Sequence, residues 1–152
     1  MSPDQPSAAG LAASAIAATS APTDADTADA LAQLADVAGH ASTVLFNYRR
    51  DNPDASDLDQ ALNLEMTLDK RAIDLRVQAV KLLGAQAADA LAQMKDASKQ
   101  VDAFLAAEKK IEGHLVIASA VIGLAGAALV GDAGGILAAV VSVHSALASA
   151  GT

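Results

Sequence analysis

Three histidines, His40, His114 and His144, are the side chains best suited to metal ligation or to proton transfer near neutral pH. They fall in three different expected helices or at their ends, so no spacing joins them into a ligand set. Glu108 and Glu112 share a helical face, as a carboxylate pair for acid-base or di-metal chemistry would. Neither has a histidine three positions later, as di-iron helical bundles require, and Lys109 and Lys110 lie between them. Both are read as surface acids. Gly131-Asp132-Ala133-Gly134-Gly135 is rich in glycine but lacks the Lys-Ser/Thr and the preceding strand of a phosphate-binding loop. The serines and threonines have no paired histidine and acid, and without cysteine there is no thiol nucleophile, disulfide or cysteine-bound zinc. No catalytic, cofactor-binding or metal-binding residue is therefore assigned, and the chain is read as not an enzyme.

Charge narrows the partners. The net charge of −8 is concentrated early: residues 1–57 hold eight acids and two bases, residues 58–112 nine acids and eight bases. A protein that binds nucleic acid needs a basic footprint to displace counterions from phosphates, and none is present. Hydrophobic residues make up 53% of the 152 positions while aromatics make up 2%. An apolar mass built from Ala, Leu and Val favours an all-α protein.

The tail is the most unusual segment. After Glu112 the only Asp, Glu, Lys or Arg is Asp132, set between the apolar runs 115–130 and 136–150. Apolar helices of this kind must be buried in protein or in lipid, and the segment is expected to form a helical hairpin, with Gly131 closing its first helix and Asp132 capping its second. Ser119, Gly123, Ala127 and Gly131 fall four apart, as do Gly134, Ala138, Ser142 and Ala146. Such small-residue stripes suit close helix packing, in membranes or in tight soluble bundles. The uncharged run 115–131 would be about 26 Å long as a helix, short against a hydrocarbon core of about 30 Å. No Trp or Tyr supplies an interfacial belt there. Entry into lipid is accordingly expected to be conditional.

The remaining elements must position this hairpin. Residues 1–22, rich in Ala, Ser and Pro, read as a flexible arm, and residues 23–152 as one helical domain. The stretch 7–18 is preceded by Asp4 and by no Lys or Arg, which does not fit a standard secretory signal. A cytoplasmic location, export by a signal-independent route and membrane association all remain compatible with the chain. A helix is expected over about 24–50, capped by Thr23, with a seam through Leu31, Leu34 and Leu45. Ser56 and Asp59 resemble a capping box that would open a second helix over about 56–112. In it Met66, Ile73, Val80, Met94 and Val101 recur at multiples of seven, the pattern of a coiled-coil seam. Tail helices are expected over about 114–130 and 133–150.

An elongated all-α bundle follows, in which one long heptad-patterned helix is covered half by the first helix and half by the tail hairpin. Its incomplete cover predicts a homo-oligomer or a helical protein partner. The functional expectation is an assembly or effector protein acting through protein-protein interaction and conditional contact with membrane lipid, without nucleic acid or cofactor. A soluble form that releases such a hairpin on lipid resembles, in architecture alone, the α-helical pore-forming toxins; no motif places the chain among them. The alternative is a soluble homo-oligomeric binding or scaffold protein with the hairpin as core.

Overall fold

Thr23 starts the first helix as its sequence implies. Its hydroxyl accepts the Asp26 N–H at 3.0 Å while the Asp26 carboxylate accepts the Thr23 N–H, which satisfies two of the donors a helix start leaves open. In the computed structural model, which describes residues 22–150, this helix is α1 (Asp24–Asp51). Arg49 and Arg50 occupy its last turn, where cations suit the helix dipole. Ala30, Leu31, Leu34, Ala38, Ala41 and Leu45 form its buried stripe. The arm expected over 1–22 lies outside the described residues except for Pro22.

The single long helix is not formed. In its place stand α2 (Leu58–Val77), α3 (Ala87–Ala107) and the start of α4 (Ile111–Val130), with α5 (Ala133–Ala150) closing the bundle. At Gln78 the backbone turns extended and runs to Gly84, whose φ of +113° is open to glycine at little cost. A second break comes at Glu108, again extended. The reason is burial. One helix over 58–107 would be about 75 Å long, against about 42 Å for α1. Folded back, α2 and α3 both lie on α1 and bury Leu68, Ala72 and Leu75 together with Leu91, Met94 and Val101. The capping expected at Ser56 is also not realised: α2 starts after Asp57, whose carboxylate instead accepts the Tyr48 O–H at 2.8 Å. That bond holds the Tyr48 phenol above its ordinary pKa.

Among the described residues the fold is thus an all-α bundle of five helices. α1 packs on α2, α3 and α4; α4 packs also on α2 and α5; α5 rests on α3 and α4. The α5–α3 contact supplies the tail cover expected for the second half of the long segment.

The seven-residue seam is interrupted with the helix. Met94 and Val101 are buried, whereas Met66 is 62% and Ile73 61% exposed, and Val80 sits half-buried in the link between α2 and α3. Residues two apart on a helix point about 160° away from each other, so α2 carries two apolar faces, and the bundle uses the one through Leu68 and Leu75. Ion pairs join helices more than they decorate them: Arg49 binds Glu65 through Nε at 2.7 Å and Nη2 at 3.0 Å, Lys95 binds Asp29 at 2.9 Å, and Arg76 binds Asp36. Within α2, Lys70 binds Asp74 at 3.1 Å one turn on.

Candidate functional site

The hairpin of α4 and α5 is built from residues at helical spacing. Ile117, Val121, Leu124 and Ala128 make the inner face of α4, and Ile136, Val140 and Val143 that of α5. All seven are buried. α4 is core on that side, covered by α1 and α2.

At its tip the turn is fixed by three devices. Gly131 takes φ +81° and donates its N–H to Ala127 O at 3.2 Å, ending α4. Asp132 Oδ2 accepts the Gly135 N–H at 2.9 Å and caps α5, as expected from its place after Gly131. The Leu83 N–H then donates to Gly131 O at 2.7 Å, and the Ala133 N–H to Leu83 O at 2.9 Å. This two-bond clasp ties the tip to the α2–α3 link. Only glycine fits at 131, because a Cβ there would lie 2.7 Å from Lys81 O.

At its base, Glu108 Oε1 accepts the N–H groups of Lys109 and Lys110, both at 2.9 Å. The Lys110 N–H chiefly holds this carboxyl below the usual carboxylate range; burial opposes it as the next largest effect, and the Lys109 N–H with the nearby Lys110 and His114 adds to the lowering. The His114 Nε2–H donates to Glu108 O at 2.8 Å. Gly113 packs under this corner, where a Cβ would lie 3.1 Å from both Phe104 Cζ and Glu108 Cγ.

The outer face is where the hairpin departs from an ordinary surface. α5 has no Asp, Glu, Lys or Arg, yet only Ala133, Ile136, Val140 and Val143 of it are buried. Val141 is 64% exposed near its midpoint, with Ala138, Ser142, Ser145 and Ala148 around it. On α4, Val116 and Val130 are exposed with Ser119 and Gly123. Both helices are long and apolar enough to cross a membrane.

The small-residue stripes fall mostly on this outer side. Ser119, Gly123, Gly134, Ala138 and Ser142 are exposed, Ala127 and Ala146 half-buried, and a Cβ added at Gly123 would meet nothing within 4 Å. Ala127 and Ala146 of the stripes pack against the core, and the exposed members leave small side chains at the surface. Gly131 is buried as a cap and Asp132 is exposed. Of the seam residues, Leu31, Leu34, Leu45, Met94 and Val101 meet in the core, and Met66 and Ile73 do not join them. The clasp at Leu83 was not visible in the sequence beyond the isolated Gly84.

Elsewhere, His40 Nδ1 lies 2.7 Å from Asp102 Oδ1, His114 is bound to the backbone, and His144 is half-buried on α5. Among the described residues no three His, Asp or Glu side chains are grouped to hold a metal ion. A cavity of about 540 Å³ between the start of α1 and residues 78–81 has an apolar floor at Leu31 and Leu75 and a rim of Asp24, Arg76 and Lys81. Comparison with family models, with curated proteins and with solved structures returned no match.

Proposed function

We propose that this chain is a non-enzymatic helical assembly or effector protein whose C-terminal hairpin engages membranes conditionally, in a pore-forming-like arrangement. One observation carries the reading: α5 lies at the surface with no Asp, Glu, Lys or Arg along its 18 residues. A surface helix in water ordinarily opposes its apolar stripe with a charged one. At 20 and 18 residues the two helices are about 30 and 27 Å long, close to the hydrocarbon thickness of about 30 Å. The condition lies in the clasp and in the inner face of α4, since full entry must break the Leu83 bonds and uncover Ile117, Val121 and Leu124.

Flotation of the full chain with phosphatidylcholine-phosphatidylglycerol vesicles tests this. The chain is expected to float, and Gly131→Ala, which strains the clasp, to float more. If neither does, the membrane reading fails. A second reading, a soluble homo-oligomeric binding or scaffold protein with the hairpin as core, draws support from the complete burial of Ile117, Val121 and Leu124. A chain that assembles but never floats would favour it.

A further inference from the structure

The bundle leaves a second apolar surface uncovered, on the side of α2 turned away from α1 and α4. Leu62, Met66, Ile73 and Val77 are all exposed there, within a sector about 60° wide at 100° per residue. Such a stripe asks for a partner. Its borders show what kind. Asp69 sits on one edge without a side-chain hydrogen bond or ion pair among the described residues. Arg76 lies one heptad further along the same edge, and Lys70, bonded to Asp74 at 3.1 Å, lies on the other. Lipid would have to accept Asp69 within the contact, at considerable cost. A protein surface with the matching charge would not, and this chain carries that surface itself.

We propose that α2 is the docking face for a second copy of this chain, paired antiparallel about a two-fold axis between Ala72 and Ile73. A two-fold contact uses the same patch on both copies. In this register Asp69 lies opposite Arg76 of the second copy, and the pair occurs twice. Ile73 meets Ile73 at the axis, and Met66 falls within about 3 Å along the helix of Val77. A parallel two-fold would instead set Asp69 against the other edge, where Lys70 is already bonded to Asp74. The Arg76 guanidinium has five N–H donors, enough to hold Asp36 of its own chain and Asp69 of the other. α2 and α5 make no mutual contact, so this pairing stands independently of the membrane reading.

Sedimentation equilibrium of the full chain over about 1–500 μM is expected to show a reversible monomer-dimer equilibrium, in keeping with an interface at the small end of the specific range. Ile73→Glu should be monomeric throughout with an unchanged circular dichroism spectrum, since Ile73 is exposed in the single chain. Asp69→Arg and Arg76→Asp should each weaken the dimer at least about tenfold, and the double variant D69R/R76D should restore it. The chain has no cysteine, so single cysteines report the register. Ile73→Cys should cross-link to itself; Met66→Cys should not, being about 20 Å from its own copy along the helices, but should cross-link to Val77→Cys. A full chain that stays monomeric, an Ile73→Glu variant that still dimerises, or self-cross-linking of Met66→Cys overturns the proposal. Loss of vesicle flotation in Ile73→Glu would assign the stripe to lipid and overturn it as well.

Discussion

Val141→Asp separates a lipid-facing α5 from one that merely lacks charge. Val141 has eight helical residues before it and nine after it in α5 and is 64% exposed. In the water-borne bundle the new carboxylate meets solvent, so folding stability should change by no more than about 0.5 kcal/mol. In hydrocarbon the same carboxylate sits near the middle of an 18-residue helix, where an acidic side chain costs about 3 kcal/mol. That difference is a factor of about 150 in partition at 25 °C. The assay is flotation at the lipid concentration that carries half of the unmodified chain; at that concentration fewer than about 5% of the variant should float. Ala92→Asp, on the exposed side of α3, adds the same charge away from the hairpin and should leave flotation unchanged. A Val141→Asp chain that keeps its helicity and floats like the parent would refute the reasoning, because the outer face of α5 would then remain in water.

Gly131→Ala should destabilise the fold by about 2–3 kcal/mol, since a non-glycine residue at positive φ is strained and its Cβ would lie 2.7 Å from Lys81 O. Thermal denaturation should show a melting temperature lower by roughly 5–10 °C, and no change would mean that the clasp is already open in solution. Glu108 should make stability pH-dependent. Its carboxyl is held below the ordinary range in the fold, so the unfolded chain binds the proton more readily, and the stabilisation is present in full above the usual Glu pKa and lost as pH falls from there through the lower value of the fold. Melts at about pH 7 and about pH 3 should therefore differ less in Glu108→Gln than in the parent, and an equal difference would remove Glu108 from that role.

The parts legible in the sequence were those fixed by local chemistry. Thr23 with Asp26 begins α1, Asn52 ends it after Arg49 and Arg50, Gly131 ends α4 and Asp132 caps α5. Each needs only a short-range bond that the residue types announce. The break at Gln78 was not legible, because the heptads continue through it and no proline interrupts them. The gain that favours the break is long-range, the burial of α2 and α3 together on α1, and the link so formed is tied at Leu83 by two backbone bonds to the distant Gly131–Ala133 segment. The face chosen by α2 was hidden for a related reason: stripes through Met66 and Leu68 are equally apolar, and only the position of α1 selects the second. In α4 nearly every position is apolar, so periodicity has nothing to contrast, and Gly123 could be placed outward only once Ile117, Val121 and Leu124 were seen to face the core.

The two tail helices differ enough to order any encounter with lipid. α5 can lay Val141, Ala138 and Ala148 on a membrane without disturbing a core residue, since these already face outward. Insertion of the hairpin is different. It must withdraw Ile117, Val121 and Leu124 from α1 and α2, and each large side chain withdrawn opens a hydrophobic surface whose burial is worth about 1.5–3 kcal/mol. That loss is recovered only when α4 itself reaches hydrocarbon. Surface attachment through α5 should therefore precede spanning, with the bundle still folded and the clasp intact. Vesicle binding and release of an encapsulated dye, followed together, should show binding at lipid concentrations where no dye escapes, and Gly131→Ala should narrow the gap between them. Simultaneous binding and release by the unmodified chain would mean that α4 leaves the bundle as readily as α5 touches the surface, contrary to the burial that distinguishes them.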